Sequence, residues 1–142
     1  MDSPKIQEYL GVDVGAARIG IARGSNAARL AEPLKTVAAE EAVQELIDLA
    51  IASSASGIVI GLPRGLDGNE TAQTELVRQW ASQLQNKIKL PLYWQDEAMT
   101  SETAGKLQKS KIKNNTTDEH SLAAAIILQD FLDSPESDRV AV

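Results

Sequence analysis

Gly57-Ile58-Val59-Ile60-Gly61-Leu62 is an unbroken apolar run of strand length, halted by Pro63. A strand without polar alternation has no face to offer water, so it must be buried on both sides, as in a parallel pairing covered by helices. The covering helices are expected on either side of it. Ala38 to Ser54 has helical spacing at Val43, Leu46, Ile47 and Ala50, with acids in its first turn. A second helix is expected from about Glu70 to Gln85, and another strand from Leu90 to Gln95.

The chain opens differently. Glu8 to Val14 alternates, with Leu10, Val12 and Val14 on one face and Gly11, Asp13 and Gly15 on the other. Gly15-Ala16-Ala17 is a tight connection, and Arg18 to Arg23 alternates again through Ile19 and Ile21, so the two runs read as a β-hairpin. A third strand is expected between Leu30 and Val37, interrupted by Pro33. Toward the other end, a polar helix begins near Thr100, and a last helix spans about Thr117 to Leu132. The order ββ(β)αβαβαα describes a mixed sheet with helices on both faces. With 142 residues and 43% hydrophobic content, one globular domain is expected over residues 1–132. Residues 133–142 are short and mostly acidic, and are expected to be disordered.

Composition excludes several chemistries. There is no cysteine, hence no disulfide framework, thiolate zinc site, iron–sulfur cluster or cysteine nucleophile, and the composition suits a reducing cytoplasm. One histidine, His120, excludes a multi-histidine metal site. No apolar run approaches the ~20 residues a membrane span needs, and the opening MDSPKIQEYL has no apolar core of a signal peptide. A net charge of −6 argues against nonspecific coating of nucleic acid, while a local basic patch with a bound metal still suits a phosphodiester.

Three residues stand out as chemistry. Asp13 sits mid-strand on the face shared with two glycines, which leave backbone open to a close ligand. The alternative is a carboxylate that serves the hairpin alone, and the cost of burying it unpaired weighs against that. Asp96-Glu97 ends a strand, the edge where open α/β sheets bind ligands. Alternation allows only one of the two to join Asp13, and an acidic turn into the next helix is the plainer reading. His120 heads the apolar stripe Ala123, Ala124, Ile127, Leu128, Phe131. Thr116 and Glu119 have capping-box spacing, which makes Thr116 the expected N-cap and His120 the fourth helical residue. A helix N-terminus disfavours imidazolium and leaves a lone pair suited to a metal, although a lone histidine on an apolar face is more often core. Asp118 and Glu119 are explained by capping and the helix dipole. Lys106, Lys109, Lys111 and Lys113 put four positive charges in eight residues, either a phosphate contact or a solvated helix end. Arg64 lies in a glycine-rich loop, residues 61–68, that lacks the ending of a P-loop and reads as a rigid wall with a phosphate-contacting side chain.

Gly11-Val12-Asp13-Val14-Gly15 with Arg18-Ile19-Gly20-Ile21-Ala22 resembles the opening hairpin of the YqgF/RuvX family, nucleases of pre-16S rRNA with an RNase H-like fold. Three further segments match in order: Ile58-Val59-Ile60-Gly61-Leu62-Pro63 with Asp67-Gly68, Asp96-Glu97 with Thr100, and Ala123-Ala124 with Ile127-Leu128-Gln129. The resemblance implies an α/β fold with a five-stranded mixed sheet, order 3-2-1-4-5, whose first three strands are antiparallel and whose helices lie on both faces. It implies a phosphodiester hydrolase acting on the 5′ end of pre-16S rRNA, with Mg²⁺ or Mn²⁺ held by Asp13, Glu97 and the residue four before Ala124. That residue is His120, where the family usually has aspartate. Arg18, Arg64, Lys106, Lys109, Lys111 and Lys113 are the candidate contacts to structured RNA.

The sequence departs from the family at several positions. His120 removes one negative charge from a site for a hard cation. Ala98 stands where the family usually has arginine, Ala16-Ala17 where it has Thr-Lys, and Ser25 where it has an acid. Two other readings therefore accompany the rRNA nuclease: a resolvase-like nuclease of branched DNA, and a catalytically weakened RNA-binding assembly factor. An ATPase of the actin/Hsp70 type, suggested by Asp13-Val14-Gly15 with Gly20, is excluded by length, because it needs two such domains. Nothing in the residues sets an oligomeric state.

Overall fold

The computed structural model describes residues 6–65, 67–97 and 118–142. Six strands form one sheet: β1 (Glu8–Val14), β2 (Arg18–Ser25), β3 (Glu32–Ala38), β4 (Gly57–Leu62), β5 (Leu92–Asp96) and β6 (Val140–Ala141). Among the described residues three helices flank it: α1 (Ala42–Ser53), α2 (Ala72–Lys87) and α3 (Glu119–Asp133). The sheet order is β3-β2-β1-β4-β5-β6. β1 pairs antiparallel with β2, and β2 with β3, while β1 with β4 and β4 with β5 are parallel. Every residue of β4 is buried, as its unbroken apolar run requires.

Side-chain alternation divides the core in two. Leu10, Val12 and Val14 of β1, Ile19 and Ile21 of β2, and Ile58, Ile60 and Leu62 of β4 pack with Leu46 of α1 and Val77, Ala81 and Leu84 of α2. The opposite parity places Tyr9, Ala22 and Val59 with Ala124, Ile127, Leu128 and Phe131 of α3. Here the helix rides close to the strands. A Cβ on Gly11 would lie 2.7 Å from Leu128 Cβ and 2.9 Å from the Ala124 carbonyl oxygen, so β1 admits α3 because it has no side chain at that point.

Two expectations are corrected. The sheet has a sixth strand beyond the five expected, and residues 133–142 supply it. After α3, a short 3-10 turn at Glu136–Asp138 leads into β6, which pairs antiparallel with β5 through Tyr93↔Ala141 and Trp94↔Val140. Arg139 holds this return in place. Its guanidinium lies 4.5 Å from the Phe131 ring centroid and 5.3 Å from that of Tyr9, and it donates to the Tyr9 hydroxyl at 3.1 Å. Acidic composition suggested disorder, but one cation–aromatic anchor and two ladder pairs outweigh it. Elsewhere the differences are small. A 3-10 turn at Ala39–Glu41 precedes α1, and α2 and β5 begin two residues later than expected. The helix expected near Thr100 lies outside the described residues. Among the described residues no helix is long and apolar enough to cross a membrane.

Candidate active site

Asp13 lies near the C-terminal end of β1 on the face covered by α3. Its cross-strand neighbour on β2 is Gly20, and Gly20 stands opposite Thr36 on β3. Carboxylate, bare backbone and hydroxyl thus form a row across three strands. The first turn of α3 rests on that row. A Cβ on Gly20 would fall on the carbonyl of His120 and crowd the Ser121 nitrogen, so any larger residue would lift the helix.

The helix start differs from the expected one. Thr116 lies outside the described residues, and the N-cap is Asp118, which accepts from the Ser121 N–H at 2.9 Å. His120 is therefore the second helical residue rather than the fourth. The Thr36 hydroxyl donates to the same Asp118 oxygen at 2.6 Å. Burial opposes ionisation of Asp118, but bonds from the Ser121 amide, the Thr36 hydroxyl and the Ser121 hydroxyl outweigh it and hold the carboxyl below its ordinary range. Helical spacing alone favours either cap; the partner on β3, 82 residues away in sequence, is invisible to it.

Glu97 follows β5 and is tied to β4 by its N–H, which donates to the Leu62 carbonyl at 3.2 Å. Its carboxyl lies 2.9 Å from where a Gly61 Cβ would stand, so this glycine makes the space the carboxyl occupies. Asp13 and Glu97 share a hydrogen bond. Burial, the charge of Asp13, that bond and the charge of Asp96 push Glu97 up to about 8. Burial also raises Asp13, against the bond from Glu97 and the nearby His120. At neutral pH the pair therefore holds a proton between its two carboxyls.

Of the strand-end acids, Glu97 joins Asp13, and Asp96 instead pairs with Arg64 Nε at 3.3 Å. Arg64 also donates to the Gly68 carbonyl at 3.4 Å, so it braces the 63–71 loop. Arg18 is exposed and, by alternation, on the face of Asp13. Lys106, Lys109, Lys111 and Lys113 lie outside the described residues, as does Ala98. Among the described residues, no three His, Asp or Glu side chains are grouped as a ready-made metal cage. Asp13 and Glu97 meet directly, and His120 stands close enough to act on the Asp13 charge. Thr36 is the site neighbour that motif reading missed, and Gly61, read as part of a site-shaping loop, serves by leaving room for the Glu97 carboxyl. A threonine in an edge strand carries no signal without the register that aligns it.

The chain is similar to known proteins over most of its length. The family model described as "RuvX: Holliday junction resolvase" matches residues 7–134. A protein of Orientia tsutsugamushi (strain Ikeda), described as "Putative pre-16S rRNA nuclease", is 37% identical over 133 residues, covering 89% of this chain and 83% of its own. A protein of the same description from Rickettsia typhi (strain Wilmington) is 32% identical over 134 residues, covering 90% and 86%. Among solved structures, Thermus thermophilus RuvC in complex with a Holliday junction substrate aligns with a TM-score of 0.70 at 13% identity, covering 96% of this chain and 99% of that one. A second T. thermophilus RuvC structure aligns at 0.62. The RuvC likeness establishes the mixed α/β, RNase H-like fold, and the match over residues 7–134 makes the chain a member of the RuvX family.

Proposed function

We propose that the chain is a divalent-metal-dependent endonuclease acting on structured RNA, the 5′ end of pre-16S rRNA above all. The observation that carries this reading is the pair of half-buried carboxyls, Asp13 and Glu97, brought together on the face under α3 with Glu97 pushed up to about 8. Two carboxylates in contact need a positive charge between them, and a proton fills that role only below about the same pH. The donor chemistry suits a hard cation: oxygens from two carboxylates, with His120 at the helix start near enough to act on the Asp13 charge. When bound, such a cation supplies Lewis-acid polarisation of the phosphodiester.

The chain's own residues do the rest. Asp13 is the principal ligand, fixed by its place within the sheet. Glu97 would be the second, holding the cation once its own carboxyl is deprotonated. His120 is the third group, a nitrogen ligand or the base that takes the proton of the attacking water. Arg18, exposed on the same face, meets the phosphate backbone, and Lys106, Lys109, Lys111 and Lys113 extend that contact. The names given to the bacterial relatives favour RNA, while the family description favours branched DNA. The site is proposed to work in the cytoplasm, where the chain's lack of cysteine is at home.

The test is cleavage of structured RNA and of a four-way DNA junction, in parallel with Mg²⁺ and Mn²⁺. Wild type should cut RNA faster than the junction. Asp13→Asn keeps shape and drops charge, and should lose about a thousandfold in rate, near 4 kcal/mol of transition-state stabilisation, with an unchanged melting temperature. Cleavage by Asp13→Asn at the wild-type rate would refute the site. Tight RNA binding by wild type with no turnover under either metal would establish the weakened assembly factor instead.

A further inference from the structure

We infer that Thr36 is a positioning residue for the candidate site: through Asp118 it fixes where the start of α3, and with it His120, stands over Asp13. The inference rests on the reading of Asp13, Glu97 and His120 as one site. It draws on three independent features of the row across β1, β2 and β3.

Register is the first. Asp13 is paired with Gly20, and Gly20 with Thr36, so the hydroxyl lies two strands from the carboxylate on the same face. Fit is the second. Gly20 lets the His120 backbone descend onto β2, which sets the height of the helix but not its position along or across the strands. Hydrogen bonding is the third and supplies what glycine cannot. Asp118 Oδ1 is shared between the Thr36 hydroxyl at 2.6 Å and the Ser121 N–H at 2.9 Å, with the Ser121 hydroxyl at 3.1 Å. Asp118 is thus both the cap of the helix and its tether to β3. A helix can be capped without being tethered, since an aspartate N-cap needs only the amide. The bond to Thr36 is the part that refers the helix to the sheet.

A flexible start to α3 would let the His120 ring wander relative to Asp13 and Glu97. Partners one bond behind a metal ligand are known to matter for affinity by about ten- to a hundredfold when removed. Thr36 touches no ligand and acts only through the Asp118 cap two residues before His120, so the lower end of that range applies.

The experiment uses the full chain with Thr36→Val, which replaces hydroxyl by methyl at nearly constant shape, and Thr36→Ser, which keeps the hydroxyl. His120 is the only histidine, so its ring nitrogens give a single set of ¹⁵N resonances at fixed pH. Two quantities are read: those resonances without metal, and the Mn²⁺ dissociation constant. Thr36→Val should move the His120 resonances and weaken Mn²⁺ binding about tenfold, with a melting temperature within a few degrees of wild type, and Thr36→Ser should restore both. Unmoved resonances in Thr36→Val overturn the inference. So does a Thr36→Ser variant that behaves like Thr36→Val, because the methyl and not the hydroxyl would then matter. Failure of the metal-site reading looks different. If wild type binds no Mn²⁺ but Thr36→Val still shifts the His120 ring and Thr36→Ser restores it, the positioning stands without the nuclease.

Discussion

The two faces of the sheet are built on opposite plans. Toward α1 and α2 the strands present Leu10, Val12, Val14, Ile19, Ile21, Ile58, Ile60 and Leu62. Toward α3 the same strands present Gly11, Asp13, Gly20, Ala22 and Gly61. Bulk on the first face buries apolar area, and several residues share each contact, so no single position is geometrically unique. On the second face Tyr9 and Val59 pack on α3, and the missing side chains at Gly11 and Gly20 bring helix backbone down to strand level. The gaps left at Gly20 and Gly61 are filled by the His120 backbone and the Glu97 carboxyl. One face supplies stability and the other placement.

The contrast predicts how substitutions divide. Leu46→Ala, on fully buried α1 packing, should cost about 2–5 kcal/mol of stability. It should leave the metal affinity and specific activity of the folded protein unchanged. A proportionate loss of metal affinity in that variant would mean that the faces are not separable. Gly20→Ala should cost less, about 1–3 kcal/mol, yet should disturb the site far more, because α3 must lift at His120. Unfolding curves and Mn²⁺ titration on the same samples decide the order; a Gly20→Ala protein with wild-type affinity would break the comparison.

Two weaker effects sharpen it within the α3 face. His120→Asp supplies a third carboxylate and should tighten Mg²⁺ about tenfold, since affinity for a hard cation follows the charge of its oxygen donors. Wild type should correspondingly favour Mn²⁺, which accepts imidazole nitrogen more readily. Isothermal titration with both ions tests this, and equal Mg²⁺ affinities would remove His120 from the site. The smallest effect is on stability against pH. Glu97 is raised from 4.5 to about 8, so between those values the folded state binds more protons than the unfolded one, and stability falls as pH rises. Metal-free protein should therefore melt a few degrees lower at pH 8.5 than at pH 5.5. Glu97→Gln should flatten the slope and saturating Mn²⁺ should reverse it.

The division between the faces also separates what the sequence reveals from what it conceals. Apolar periodicity exposes β1, β2, β4 and both covering helices on the bulky face, because each residue there reports its own burial. On the other face, alternation allows only one of Asp96 and Glu97 to join Asp13, and the choice of Glu97 comes from the motifs that identify the family. The start of α3 escaped, since Asp118 and Thr116 are both good caps and the choice is made by Thr36 on a distant strand. The last strand escaped as well. Arg139 reads as one charge in an acidic segment until Tyr9, Tyr93 and Phe131 are brought around it by three different elements.

That α3 fills the glycine-lined face has a consequence for synthesis. Chains leave the ribosome N-terminus first, so β1, β2, β4 and β5 exist before residues 119–133 have been made. A nascent sheet at that stage can be covered on its α1 and α2 side only. Asp13 and Glu97 then face water, which relieves the burial that pushes both acids upward, and Gly20 has no helix to receive. The carboxylates are encoded early, but the helix that covers them is delivered by a segment that emerges after both.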